Sequence, residues 1–442
     1  MLKNKTKLFR FMQNVTPIKA VLLGYLSYTL FGWILLCLPF SQTSHISILD
    51  NLFIATSAIS TTGLAPISVA DSYTFFGELV ILLLIQLGGI GYMTFGSFII
   101  LAGSSEGLSL ERQEISKVVF SLPHGFRIKE FIMRVVYFTI WIELIGSILL
   151  YIIFVHAGVA SPVWSAIFHC ISSFNTAGFG LYNNSFESFY SNVPLNLTIG
   201  TLSYFGAIGF IVFVDVWRRI KGEIKHVTLT TSIIIHTTFW MSVVGMLLLY
   251  TTEPSIVRLP QSDRILTAFF QTMTAMTTVG FNTIPIGGIT KASLLLLIIL
   301  MVIGASPAGT GGGLKSTTFT AMLGVIKSTL KGEQGARFWG RAIPYGRIMV
   351  ASASFGLYTI LLISGTYLLS LTENANFESI FFEVASAMGT VGLSAGLTSS
   401  LTILGKILII LLMFIGRLGP LTFGMAIIST SRDTNRTEDL AV

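Results

Sequence analysis

Charge is what this sequence has least of. Asp, Glu, Lys and Arg make up 11% of its 442 residues, against 52% apolar residues. Soluble globular chains carry about a quarter charged residues, so a soluble protein is excluded and the solvent is a lipid bilayer. Cysteine is almost missing: Cys37 and Cys170 stand in apolar surroundings without CxxC spacing, which excludes a disulfide framework and a thiolate zinc site. The six histidines are scattered and offer no metal-ligand spacing. No Ser/His or paired-Asp constellation converges, so an intramembrane enzyme is not expected. The net charge of +7 does not point to nucleic acid, because no basic, aromatic-interleaved soluble domain carries it.

Uncharged runs long enough to span lipid recur at Leu79–Ser104, Leu144–Ser161, Val227–Thr252 and Ala351–Thr372. Continuous apolar runs lack the alternation of a membrane barrel, leaving helices. The fold expected is an all-α polytopic membrane protein. Its basic N-terminus leads into an apolar stretch, but no small-residue cleavage site follows Leu36–Phe40, which reads as a retained first helix. No Lys or Arg lies between Ala20 and Glu111 or between Val135 and Trp217; they cluster at Lys3–Lys19, Arg112–Arg134, Arg218–Lys225 and Lys327–Arg347. The positive-inside rule puts those clusters, and both termini, in the cytoplasm.

Four segments align without gaps: LFIATSAISTTGL (52–64), IFHCISSFNTAGF (167–179), FFQTMTAMTTVGF (269–281) and FFEVASAMGTVGL (381–393). Each ends in Thr, any residue, Gly, then Leu or Phe. The glycines are Gly63, Gly178, Gly280 and Gly392; ten residues before each is Phe53, Phe168, Phe270 or Phe382, and six before is Ser57, Ser172, Thr274 or Ser386. Thirteen before stands a capping type, Asp50, Ser165, Thr267 or Ser379, which predicts an N-cap followed by about ten helical residues. A helix of that length cannot cross lipid, and between two spans it reads as a re-entrant pore helix. The layout expected is eight transmembrane helices and four re-entrant pore helices around a central, potassium-channel-like pore: a cytoplasmic N-terminus over 1–16, repeats over 17–103, 129–221, 228–330 and 345–430 with spans near 17–40 and 73–103, 129–156 and 192–221, 228–252 and 291–326, and 345–371 and 401–430, and a cytoplasmic tail over 431–442.

Thr-x-Gly at the end of a short helix suits a dehydrated cation. Backbone carbonyls replace its water, glycine allows the required angles, and the helix C-terminus is negative. The candidate filter is Thr61, Thr62, Gly63 and Leu64; Thr176, Ala177, Gly178 and Phe179; Thr278, Val279, Gly280 and Phe281; and Thr390, Val391, Gly392 and Leu393, with threonine hydroxyls as supports. The pattern resembles the Trk/Ktr/HKT superfamily of potassium transporters, and is most similar to the KtrB-type membrane subunit of bacterial Ktr systems. The resemblance covers roughly residues 15–430.

That resemblance implies potassium uptake across a bacterial plasma membrane, since glycine in all four filters accompanies potassium selectivity. A sodium-selective or cation-coupled transporter of the same superfamily is the alternative. It further implies a homodimer in membrane lipid, resting on a cytosolic ring of nucleotide-binding regulatory subunits of the KtrA or KtrC type through which ATP or ADP acts. Segments Glu106–Lys129, Gly222–His226 and Lys331–Arg341 are candidate contacts.

One further segment is glycine-rich: Gly304, Ala305, Ser306, Pro307, Ala308, Gly309, Thr310, Gly311, Gly312 and Gly313, ahead of Leu314, Lys315 and Ser316. A phosphate loop requires glycine where Leu314 stands and a strand upstream, not LLLLIILMVI. Glycine and proline halfway along a span break the helix, and unwound backbone at that depth must border protein or water. The loop over 304–316 is expected beneath the filter, and the resemblance implies a gate there. Lys315 is expected either to add a barrier or to reach the inner interface. Arg417 is a membrane-depth charge expected to bind the loop's carbonyls, repel cations, or pair with Glu383. Asp215 is expected to pair with Arg218 and Arg219.

Overall fold

The computed structural model describes residues 17–90, 128–333 and 335–428. The N-terminal sixteen residues, most of the contact segment Glu106–Lys129, the end of the span expected to reach 103, and the tail beyond 428 lie outside them. What is described is helical apart from one two-stranded hairpin, Arg337–Phe338 with Arg341–Ala342. The helices, leaving single turns unnumbered, are α1 (Pro17–Leu36), α2 (Ile48–Ile59), α3 (Phe75–Gly89), α4 (Ile128–His156), α5 (Pro162–Phe174), α6 (Val193–Ile208), α7 (Phe210–Ile220) and α8 (Leu229–Thr252). Then follow α9 (Gln261–Thr277), α10 (Lys291–Ile303), α11 (Ser316–Leu330), α12 (Tyr345–Thr372), α13 (Phe377–Gly389), α14 (Ile403–Leu418) and α15 (Pro420–Ile428).

Three stretches, Arg134–His156 within α4, all of α8 and all of α12, are long and apolar enough to cross a membrane alone. The spans expected over 192–221 and 401–430 are not continuous: α6 and α7 meet at 90°, α14 and α15 at 98°. The breaks fall at Gly209 (φ 92°) and Gly419 (φ 83°). Positive φ cannot continue a right-handed helix, and glycine adopts it without a Cβ penalty.

The four short helices α2, α5, α9 and α13 run for 12, 13, 17 and 13 residues; Thr-x-Gly follows α9 and α13 directly and α2 and α5 after one residue, Ser60 or Asn175. At 1.5 Å per residue even the longest is only about 25 Å. They start earlier than the capping residues suggested. The N-caps are Ser47, Ser161, Pro260 and Asn376, so Asp50, Ser165, Thr267 and Ser379 lie inside the helices. Asp50 shows why: its N–H is the one capped by the Ser47 hydroxyl, at 3.0 Å, while its carboxylate pairs with Lys406 at 2.6 Å.

These helices form the centre of the molecule. Phe53, Phe168, Phe270 and Phe382 are all fully buried, each anchoring its helix in the apolar core. Three inner helices press directly on the last turn of a short helix: a Cβ at Gly88, Gly206 or Gly416 would run into the carbonyl oxygen of Ile59, Phe174 or Met388 respectively. Each of those carbonyls lies four residues before a filter glycine. Asp215 does not serve Arg218, which pairs with Glu223 at 3.3 Å. It accepts from the Thr228 N–H and hydroxyl at 3.1 and 2.6 Å and the Thr231 hydroxyl at 2.7 Å, holding Thr228 in place as the cap of α8, where its hydroxyl accepts from the Thr231 N–H at 3.3 Å.

Candidate ion pathway

The four Thr-x-Gly segments meet in a closed ring. A Cβ built on Gly63 lies 3.2 Å from the Cα of Gly178; one on Gly178 lies 3.2 Å from Gly280, one on Gly280 3.0 Å from Gly392, and one on Gly392 3.1 Å from Gly63. Each would also strike a carbonyl oxygen of the next segment, Ala177, Val279, Val391 and Thr62 in turn. The four chains therefore surround one axis in sequence order, each glycine packed against a main-chain carbonyl of the next segment. Any side chain at these glycines would fill the space between neighbours.

The backbone entering the ring is held in one repeated conformation. Thr61, Thr176, Thr278 and Thr390 have φ of 52°, 51°, 61° and 48°, left-handed values that β-branched residues rarely take. Such strain persists only where the surroundings impose it. What imposes it here is visible: the N–H of the middle residue, Thr62, Ala177, Val279 or Val391, donates to the carbonyl of Ser57, Ser172, Thr274 or Ser386 at 2.8, 2.8, 3.1 and 2.9 Å. In two copies the glycine N–H is held as well, by the hydroxyls of Ser57 and Ser386, each at 3.1 Å. The residue six positions before each glycine thus marks, through its carbonyl, where the helix turns into the Thr-x-Gly segment.

Outside the ring a cavity of about 370 Å³ opens, lined by filter residues with Asn183, Glu187, Asn282 and Ser394 among others. Inside it lies the glycine-rich loop. Thr310 sits under the first two filter threonines: Thr61 donates to its carbonyl at 3.4 Å, the Thr176 and Thr310 hydroxyls are 3.2 Å apart, and the Thr310 hydroxyl donates to the Phe174 carbonyl at 3.1 Å. Gly311 and Gly312 sit under the other two, so close that a Cβ would collide with the hydroxyls of Thr278 and Thr390. The loop therefore spans the axis beneath all four segments.

The break at Gly209 explains how unwound backbone is satisfied at that depth. It frees the carbonyls of Gly206 and Ala207 and the N–H of Phe210. These bond to Thr310 N–H, Ser306 N–H and the Ala308 carbonyl, each at 3.0 Å, meeting the rule that buried backbone groups find partners. Gly304 and Gly313 supply positive φ, 54° and 75°, and Ala308 adopts 60°. Gly309 leaves room for the Ala207 carbonyl, 2.7 Å from a built Cβ. Ala305 N–H reaches the Gly312 carbonyl at 3.3 Å, and Ser306 and Ser316 hydroxyls are 3.0 Å apart. Pro307 stands at the tip beside Gly209, which its carbonyl approaches closely.

Both charges expected near the loop touch it. Arg417, 6% exposed, donates from Nη1 to the Thr310 carbonyl, from Nη2 to the carbonyls of Gly88 and, at 3.3 Å, Gly89, and from Nε to the Tyr25 hydroxyl at 3.1 Å. Pairing with Glu383 does not occur: that carboxylate accepts from Ser394, at 2.8 Å, and from Thr398. Lys315 does not reach for the inner interface either; its Nζ donates to the Gly311 carbonyl at 2.8 Å. Sequence reasoning missed Tyr25 and Gly206, whose only signal was a tyrosine and a glycine in otherwise apolar helices.

Comparison with known proteins agrees with this architecture. Residues 26–434 match the family TrkH, cation transport protein. The chain is 36% identical to Ktr system potassium uptake protein B of Bacillus subtilis, over 96% of each chain. It is 35% identical to the protein of that name from Vibrio alginolyticus, covering 91% of this chain and 90% of that one. It is also 33% identical to the potassium/sodium uptake protein NtpJ of Enterococcus hirae, over 93% of each. Among solved structures, the potassium transporter TrkH from Vibrio parahaemolyticus superposes with a TM-score of 0.69 at 21% identity, over 92% of this chain and 85% of that one. With a helical fold built on a ring of four filter-like segments and a family match across nearly its whole length, the chain belongs to the TrkH family of cation transport proteins and is a transporter, not an enzyme.

Proposed function

We propose that this chain takes up potassium across the bacterial plasma membrane through the ring at Thr61–Leu64, Thr176–Phe179, Thr278–Phe281 and Thr390–Leu393. The observation that carries the reading is the closed contact of four glycines, each against the next segment's carbonyl. Carbonyls held inward around one axis replace the water of a monovalent cation, and four helix C-termini aimed at it favour positive charge. Four full repeats of span, pore helix and span, with both termini cytoplasmic, supply the frame. The membrane potential drives entry with about 2.3 kcal/mol per charge per 100 mV.

The loop over 304–316 is the gate on the inner side. Its contact with all four filter threonines leaves no room for a hydrated ion, and its bonds to the α6–α7 break and to Arg417 hold it there. Two such subunits form a homodimer on a cytosolic nucleotide-binding ring, which relays ATP or ADP to the gate through segments such as Gly222–His226 and Lys331–Arg341. The relatives' names, potassium uptake proteins of Ktr systems, support this assignment.

Uptake in a potassium-deficient bacterium, with and without candidate ring subunits, tests it. Potassium accumulation that outcompetes sodium is expected. Gly63→Ser should reduce that discrimination at least tenfold, because the new side chain meets the Ala177 carbonyl; unchanged selectivity in a well-expressed variant would remove the filter assignment.

A further inference from the structure

The residue nine positions before each filter glycine differs in every repeat: Ile54, His169, Gln271 and Glu383. All four are buried, none more than 1% exposed. In three repeats this side chain reaches across to the segment that leaves the filter. His169 donates from Nδ1 to the Ser165 carbonyl at 2.7 Å, which leaves Nε2 to accept from the Leu181 N–H at 3.2 Å. The Gln271 amide, oriented to match its donors, accepts from the N–H groups of Thr283 at 2.8 Å and Ile284 at 3.2 Å. Glu383 accepts from the hydroxyls of Ser394 and Thr398.

Leu181 and Thr283 occupy the same place, three residues after their filter glycines. The corresponding residue of the first repeat is Pro66, which has no N–H to offer. That is the repeat with Ile54. In the first repeat that position lacks a donor and the short helix lacks an acceptor; in the second and third it has one and the helix supplies the acceptor. In the fourth repeat two hydroxyls serve as donors and a carboxylate takes both. Three different chemistries at one register position share only acceptor capacity, directed at the segment leaving the ring: at its main-chain N–H groups in the second and third repeats, at its hydroxyls in the fourth.

We propose that His169, Gln271 and Glu383 are positioning residues for ion selection. Resting on the filter reading above, they brace the strands beyond the ring and so set how far its carbonyls can relax inward. Discrimination between potassium and sodium depends on ring geometry held to about half an ångström, and an unbraced strand carries a buried donor without a partner, which pulls the strand off its path. Glu383 and Gln271 select without touching the ion.

The test is flux of radioactive rubidium into liposomes containing the purified full-length protein, with sodium as competitor. Glu383→Leu and Gln271→Leu should each lower discrimination against sodium about tenfold. Glu383→Gln, which keeps an oxygen at the same place, should stay within about threefold of the parent. Ser394→Ala combined with Thr398→Val removes the other end of the fourth brace at the vestibule, and should reproduce Glu383→Leu. This pair decides the matter should the buried substitutions fail to accumulate. Parental discrimination in the apolar variants, beside a Gly392→Ser control that loses it, would overturn the braces and leave the filter standing. Parental discrimination in Gly392→Ser as well would overturn the filter itself.

Discussion

At the scale of single residues, Arg417 joins the most elements. Its guanidinium binds the carbonyls of Thr310 in the loop and of Gly88 and Gly89 at the end of α3, with Tyr25 of α1 on its Nε. A guanidinium presents five donors in a fixed planar fork that can reach acceptors on separate elements; an ammonium offers three from a single point. Arg417→Gln should release the loop, raising basal potassium flux several-fold with little loss of membrane abundance, and Arg417→Lys should not restore the parental rate. Flux in proteoliposomes without a regulatory ring reads this directly; a fall in abundance that accounts for any change would make the arginine a structural tie. The arginine's importance was legible in the sequence because charge at membrane depth is costly without partners. A loop carbonyl was among the partners expected and is one of them; the carbonyls of Gly88 and Gly89, over 300 residues away in the chain, leave no trace in composition. The same holds for the left-handed threonines: four copies of Thr-x-Gly are plain in the sequence, but a φ near +50° at a β-branched residue is imposed by the short helix behind it.

At the scale of elements, the breaks matter most. Gly209 and Gly419 turn two inner helices through 90° and 98°, where the hydropathy of 192–221 and 401–430 suggested unbroken spans. The hydropathy is indeed continuous, and the bends are specified by single glycines; at Gly209 the freed backbone groups find tertiary partners. In α6–α7 that partner is the loop. Removing Ala308–Gly312 should therefore raise potassium flux and weaken its dependence on the cytosolic ring, measured as uptake with and without that ring; loss of flux in a folded protein would refute a gate. Close packing gives a second prediction. Gly416→Ala places a methyl against the Met388 carbonyl at the end of α13, an overpacking that costs about 1–3 kcal/mol. The detergent-solubilised protein should melt at a lower temperature, and an unchanged midpoint would mean that α14 can move aside.

At the scale of the whole molecule, the first and fourth repeats close the ring. Lys406 of α14 meets Asp50 of α2 at 2.6 Å with both side chains largely buried, 17% and 13% exposed. Breaking so shielded a pair strands a charge, and Lys406→Met should destabilise the protein by about 1–2 kcal/mol, read as a lower midpoint of unfolding that Asp50→Asn in the same chain partly restores. On the proposed filter reading, an ion held jointly by four repeats also couples them. Saturating potassium stabilises the folded state by RT ln(1 + [K+]/Kd), about 2.7 kcal/mol at a hundred times Kd. The melting temperature should thus rise with potassium more than with equal sodium, and equal shifts would argue for a ring that does not discriminate.

The sequence by itself determined the solvent, the helical class, the four-fold register of short helices and Thr-x-Gly, and the position of a broken span at 304–316. All of these follow from local periodicity, from the absence of charge, or from what glycine and proline do to a helix at membrane depth. Only the tertiary structure decided that the four glycines abut in a ring, that the loop lies under all four filter threonines, where Arg417, Lys315 and Glu383 point, and where the inner helices bend. Those depend on which backbone groups are left without partners once the helices pack, and such demands are met by residues distant in the chain.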